Sequence, residues 1–474
     1  MKQADGNKRR EKLKVQVKSW IPVIIALPIT GILLATIPPD LRAWVGSFAQ
    51  PARTELNAPY RYRFARLAQE SAIGSAALEQ EIAFYQERIA RNPKDGLDLA
   101  ALASTYLQMA RLTGISNWYL LAEQTAQRSL SNLPFNNHGA TLVLARIAEA
   151  KHDFSETIRL AEQVLRSQPG NEDALALLVT TNLAIGKVQV ANQIVDRLVN
   201  RIPTVGTLTL RASVKIAQGQ DQAAIQDFQQ ALAVEEAGDA SGSARIRTLL
   251  GRFYAQRGNH TLAAQLYQEA LHILPHYPLA LINLAELETR LGQYQAAEKH
   301  YAEVLAISQD STAQVFDHLV WRGMARLKEL QNDRAAANEL QAKAETQLRQ
   351  HLNLSSFGHR RELARLLLER GRSEDLGEAL SLMQAEVRVR RDAQTFDTLA
   401  WAFARSKRWQ EARQAMHSAL RSGVRDAGMV YRAGLIEQGL GNFAQAQTFF
   451  QSAKEIDPTF DESARRAVGL GLDT

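Results

Sequence analysis

Apolar residues recur along most of this chain in paired short runs, each spaced to fall on one face of a helix. In the stretch from Ala244 to Tyr277 they are Ile246, Leu249, Leu250, Phe253 and Tyr254, then Leu262, Leu266, Tyr267 and Leu271, with Gly258 between the runs. Helical periodicity broken by a single glycine predicts helix, tight turn, helix. Gly251, Ala263 and Ala270 are small where two antiparallel helices would approach, and Pro275 ends the second. Neither helix can bury its apolar stripe alone, so the unit needs neighbours of its own kind.

The neighbours are present. One unit on, Leu281, Leu284, Gly292, Ala297 and Tyr301 take the same places; one unit back, Leu208, Gly219, Ala224, Phe228 and Ala231 do. The order Leu250-Gly251, Tyr254, Ala263, Tyr267, Pro275 resembles the L-G-x-x-Y, A-x-x-x-F, P signature of the tetratricopeptide repeat family, with Arg247 where the family often has Trp. Units begin near Gly96, His138, Glu172, Val205, Ala244, Pro278, His318, Arg360, Ala393 and Ala427. The resemblance implies an all-α fold, a right-handed α-solenoid of about ten helix pairs whose first helices line a concave face.

Ala77 to Arg91 reads as the second half of an incomplete first unit, and Asp461 to Leu470 as a helix covering the last one. The turn from Thr113 to Asn117 is longer than the family's usual one and is expected to project as a docking loop. Junctions at Glu235 to Ser243, Ile307 to Asp317 and Gln350 to His359 are also long and predict breaks of pitch. The last of them divides the solenoid into segments 79–355 and 356–474.

Ahead of the repeats, Trp20 to Ile37 is uncharged and strongly apolar, long enough as a helix to approach the thickness of a bilayer core. Residues 20–37 are therefore expected to be a transmembrane signal anchor, residues 1–19 a basic cytoplasmic tail, and residues 38–78 a juxtamembrane linker, helical from about Tyr60. The alternatives are a cleaved signal peptide, whose core would be shorter, and a buried soluble helix, against which Pro38-Pro39 and the basic tail argue. Seven cations precede the apolar run, so the repeats are expected on the extracytoplasmic side, which is the periplasm if the chain is bacterial.

Charge changes the picture only at that tail. The chain has a formal net charge of +6, but residues 1–19 hold seven of its 56 basic and two of its 50 acidic residues, leaving 49 against 48 in the remainder. The body is almost neutral, which removes the main support for nucleic-acid tracking. There is no cysteine, so thiolate metal sites, redox motifs and cysteine nucleophiles are excluded.

Catalytic motifs are missing: there is no GxxxxGK[ST], HExxH or GxSxG. Gly439-Leu440-Gly441-Asn442-Phe443-Ala444 fits GxGxxG/A loosely, but with no strand before it Gly441 reads as a turn glycine. His272 and His276 have a metal-ligand spacing, yet Pro275 stands between them and no third ligand is near. Neither an enzyme nor a cofactor is expected.

What remains is the concave face. The positions that line it in the family place Arg245, Arg252, Arg290, Arg322 and Arg326 there, relieved by Glu286 and Glu329, with Trp401 and Tyr431 further along. Clustered guanidiniums suit carboxylates, and aromatics give anchoring area. The family's two-carboxylate clamp is not reproduced: only Asn283 matches it, while Thr248, Arg252, Leu319 and Gly323 hold other clamp positions. The expected function is a non-enzymatic scaffold or adaptor held at a membrane, binding proteins or peptides with acidic segments, in envelope assembly, secretion or polymer export. The alternative is an accessory subunit of a membrane enzyme or transporter, recruited through its transmembrane helix; self-association through the solenoid ends is also open.

Overall fold

The computed structural model describes residues 56–64, 75–307, 315–353 and 359–470. The described residues form twenty-two α-helices and two short 3-10 turns. After α1 (Ser75–Arg91) come ten pairs: α2 and α3 (Gly96–Thr113, Ser116–Asn132), α4 and α5 (His138–Ala150, Phe154–Ser167), α6 and α7 (Glu172–Ala184, Val188–Arg201), α8 and α9 (Val205–Ala217, Asp221–Ala233), α10 and α11 (Ala240–Ala255, His260–Ile273). They continue with α12 and α13 (Pro278–Arg290, Tyr294–Ala306), α14 and α15 (Asp317–Leu330, Arg334–Asn353), α16 and α17 (Arg360–Arg370, Leu376–Val389), α18 and α19 (Ala393–Arg405, Trp409–Leu420), α20 and α21 (Ala427–Gly439, Phe443–Ile456). A short α22 (Glu462–Ala467) follows the last pair.

Local chemistry sets these boundaries. Asp95, Asn137, Asp153, Asn171, Asn259, Asp392 and Asp426 cap helix starts by accepting from backbone N–H groups two or three residues on. Within a pair, Gly251 lets the two helices close up, since a Cβ there would lie 2.6 Å from the Tyr267 ring. Ala263, Leu266, Tyr267 and Ala270 are all essentially inaccessible, so the core is continuous between pairs rather than gathered at one centre. It also continues past residue 355: Ala344 and Leu348 share one apolar cluster with Leu363, Leu367, Met383 and Phe403.

The junction expected from Glu235 to Ser243 is shorter, since helix resumes at Ala240, and an upstream segment packs against it. Here α9 and α10 pack less closely than the helices at neighbouring junctions. Residues 56–64 enter as a strap, with Leu56, Tyr60 and Tyr62 buried. Leu56 and Tyr60 join Phe228, Ile246, Leu250 and Phe253, while Tyr62 joins Ala244, Ala270, Ile273 and Tyr277. The Tyr62 N–H donates to Glu269 at 2.7 Å, and Arg63 donates to the carbonyl of Ala233 at 2.8 Å. The expectation of a linker helical from Tyr60 is corrected at this point: Ala58–Tyr60 is a single 3-10 turn with extended backbone at Arg61, because burying alternate aromatics in a cleft needs an extended chain.

Successive turns of the superhelix touch, with several turn loops meeting residues four to six pairs later. Arg391 N–H donates to the carbonyl of Ala184 at 2.7 Å; Arg425 reaches Asp221 at 3.2 Å; Arg290 reaches Asp457 at 2.6 Å. His152 Nδ1 lies 3.4 Å from the fully buried Glu386. The expected docking loop at Thr113 to Asn117 is one of these contacts and does not project. It is only Gly114 and Ile115 long, because Gly114 ends α2 in the left-handed conformation. Its carbonyl accepts from Val315 N–H at 2.8 Å. The expected span at 20–37 and the segments around it lie outside the described residues; among the described residues no helix is long and apolar enough to cross a membrane.

Candidate functional site

The inner helices α10, α12 and α14 of one superhelical turn face α16, α18, α20 and α22 of the next across a cavity of about 580 Å³. Eight arginines line it, Arg252, Arg290, Arg322, Arg326, Arg361, Arg365, Arg390 and Arg432, against five carboxylates, Glu286, Glu362, Asp397, Asp426 and Asp457. A cationic excess held between protein walls is a strong attractor for anions, since the field is not dissipated in water.

Most of these guanidiniums are already engaged. Arg290 is held by Asp457 and by the Thr459 hydroxyl at 2.8 Å, Arg432 by Asp397 at 2.7 Å, and Arg390 by Asp392 at 2.6 Å. Glu369, which is nearly buried behind the wall, takes Arg326 at 2.7 Å and Arg322 at 3.2 Å. Burial alone would raise the Glu369 pKa, but Arg322, Arg326 and Arg365 outweigh it and hold the carboxyl below its ordinary value.

Two are not satisfied. Arg365 approaches Glu369 only to 4.0 Å, and its pKa is pushed down to about 10 by burial and by Arg322, Arg432 and Arg361 around it. Arg252 makes no hydrogen bond or ion pair among the described residues and is exposed to the cavity. Higher in the lumen Arg245 is likewise exposed and unpaired, and faces Arg111 of α2, whose pKa is lowered by burial and then by Arg146 and Arg245.

The five sequence-predicted arginines are thus brought to one lumen, four lining the cavity and Arg245 standing two helical turns away from Arg252. The two aromatics are not presented as free faces. Trp401 is half-buried with the Arg432 guanidinium 5.5 Å over its ring, and Tyr431 packs on Phe450 at 4.9 Å with Arg465 at 4.8 Å on its face.

Arg365, Glu369 and Arg432 escaped the sequence reading through register. In the units starting at Ala244, Pro278 and His318, the expected Arg252, Glu286, Arg290, Arg322 and Arg326 line the cavity, whereas Arg245 and Glu329 do not. In the units taken to start at Arg360 and Ala427 the wall is formed one residue later, at Arg365 instead of Ala364 and at Arg432 instead of Tyr431. One residue is about 100° on a helix, enough to exchange core for lumen. The buried run Leu366, Leu367 and Leu368 was the available signal for the shift.

The family matches agree with the helix pairs seen at the matched residues. Three tetratricopeptide repeat family models match, at residues 204–275, 254–317 and 398–459. An uncharacterized protein ycf37 of Pyropia yezoensis is 34% identical over 65 residues, 14% of this chain; the chain spans 36% of that relative. Among solved structures, a human IFIT1 dimer with PPP-AAAA aligns over 82% of this chain and 88% of its own at 14% identity and a TM-score of 0.43. A tetratricopeptide repeat protein from Parabacteroides merdae aligns over 55% and 92% at 18% identity and a TM-score of 0.34. MamA aligns over 37% and 99% at 24% identity and a TM-score of 0.27. The chain carries tetratricopeptide repeats at residues 204–317 and 398–459, within an all-helical solenoid, and repeats of this kind point to a protein–protein interaction scaffold.

Proposed function

We propose that the protein is a non-enzymatic adaptor, tethered to a membrane by residues 20–37, whose lumen receives acidic segments of partner proteins. The observation that carries the reading is the arginine excess of the cavity between superhelical turns, with Arg252 and Arg365 left without a close carboxylate. Guanidinium forks match carboxylates in shape and charge. The tether rests on the sequence: an uncharged apolar run behind a basic tail, a charge bias that supports repeats outside the cytoplasm.

The test is photocrosslinking in cells from the full chain, with a photoreactive residue at 252 or 365 and, as a control, at 159 on the outer surface, followed by membrane fractionation. Partners captured from the lumen positions alone, in the membrane fraction, with acidic crosslinked peptides, are expected. Capture equal from position 159, or crosslinked peptides without acidic residues, would sink the lumen reading. Recovery of the intact chain in a soluble fraction would sink the tether.

A further inference from the structure

The unsatisfied arginines of the lumen form two groups at a definite separation. Arg245 and Arg252 lie seven residues apart on α10, on one face and about 10.5 Å apart along the axis. Arg111 joins Arg245: burial raises the Tyr277 pKa and both guanidiniums lower it, and Leu112 beside Arg111 packs against the cluster that holds Ala244 and Tyr277. Arg365 lines the same cavity as Arg252 from α16. Arg111, Arg245 and Arg252 have no hydrogen-bonded partner among the described residues, and Arg365 has only the 4.0 Å approach of Glu369.

On the reading that the lumen receives acidic segments, we infer that its ligand is an extended peptide bearing two carboxylates three residues apart, one taken by Arg111 and Arg245 and the other by Arg252. A polyproline-type chain rises about 3.1 Å per residue with three residues per turn. Side chains at i and i+3 then point the same way about 9 Å apart, close to the spacing on α10. Residues i and i+3 of a flat strand point to opposite faces, and neighbouring acids lie too close together to reach both groups.

A nucleic-acid single strand fits the same walls poorly. Such strands are held by aromatic faces on which bases stack. The rings near this lumen are spent: Tyr267 and Tyr301 are buried, Trp401 lies under Arg432, and Tyr431 lies against Phe450 and Arg465. Exposed Glu286, which with Arg252 acts on the Tyr267 hydroxyl, also repels a chain charged at every residue while tolerating a peptide with neutral residues between its acids.

The experiment is fluorescence anisotropy of the full chain with labelled proline-rich dodecapeptides carrying two glutamates at i,i+1, at i,i+3 or at i,i+7, a glutamine control, and a twelve-nucleotide single-stranded RNA. The i,i+3 peptide should bind tightest, and Arg245→Gln and Arg252→Gln should each weaken it about tenfold or more. Arg159→Gln, on the outer surface, should change nothing. In a double-mutant cycle, Arg245→Gln should cost little further once its matching glutamate is glutamine. Equal affinity at all three spacings, with the arginine variants still weakened, would overturn the two-site geometry and leave the acidic-segment reading standing. No binding by any acidic peptide would sink both, and tighter binding of the RNA would replace a peptide ligand with a nucleic acid. Thermal unfolding of each variant separates lost binding from lost fold.

Discussion

Two arginines five residues apart on α10 face opposite sides of the solenoid, and their surroundings could hardly differ more. Arg247 points into the cleft filled by the strap and is fully buried. Four of its five N–H donors are engaged: Nε donates to the Tyr60 carbonyl at 2.8 Å, Nη1 to the Ser243 carbonyl at 2.9 Å and to Glu235, and Nη2 to Glu235 at 3.1 Å. Arg252 faces the lumen with none of its donors engaged among the described residues. A buried charge survives only with its partners in place, whereas an exposed and unpaired charge costs little and stays available. The cleft is therefore a finished joint and the lumen an open one.

The largest effect expected is at the joint. Arg247→Ala leaves Glu235 buried without its counter-charge and strips the strap of a hydrogen bond, and should cost about 3–5 kcal/mol in denaturant unfolding. Exchange protection at Tyr62 N–H, which donates to Glu269, should be lost with it. Replacing both partners, Arg247→Met with Glu235→Leu, should recover most of the loss, since a packed apolar pair often equals a buried ion pair. If Arg247→Ala is neutral, the joint is not what holds the strap.

The contacts between superhelical turns are tested next, by two glycines of nearly equal backbone. Gly186 and Gly292 both close turns with φ of +78° and +74°. A Cβ at Gly292 meets nothing within 4 Å, whereas at Gly186 it would stand 2.6 Å from the Arg391 carbonyl of the next turn. Gly292→Ala should cost about 1–2 kcal/mol for the left-handed conformation alone. Gly186→Ala should cost more and expose the Arg391 amide to exchange, and equal losses would mean that the turns do not press on one another.

Acid should loosen the lumen wall by a smaller amount. The Glu369 carboxyl is held below its ordinary pKa by Arg322, Arg326 and Arg365, so it binds a proton less readily folded than unfolded. Its contribution is fully present above the unfolded carboxyl value, about 4.3, and is lost as pH falls through the lower folded value. Thermal unfolding between pH 6 and pH 3 should therefore fall less steeply in Glu369→Gln than in the wild type, and parallel curves would remove Glu369 from the account.

How much of this was legible depended on whether the unit could be counted. Helical period, turn glycines and tight pair contacts such as Gly251 on Tyr267 are local, and from them the helix pairs and the final capping helix followed directly. The lumen was legible wherever the register was regular, as at Arg252, Arg322 and Arg326. It was lost by one residue at Arg365 and Arg432. The strap and the contacts between turns were illegible for a different reason. They join residues nearly two hundred positions apart, such as Tyr60 and Arg247, and no local pattern records which surfaces meet after a full superhelical turn.

The smallest effect sharpens the contrast most. Arg252→Ala removes a side chain that touches no carboxylate, on the same helix as Arg247, and in a lumen already carrying more guanidiniums than carboxylates. Losing one cation there relieves repulsion among the remainder. Stability should stay within about 0.5 kcal/mol of the wild type, the ordinary range for a surface substitution, or rise slightly. A loss of several kcal/mol would show that Arg252 is a structural part like Arg247, and the distinction between a finished joint and an open site would fall with it.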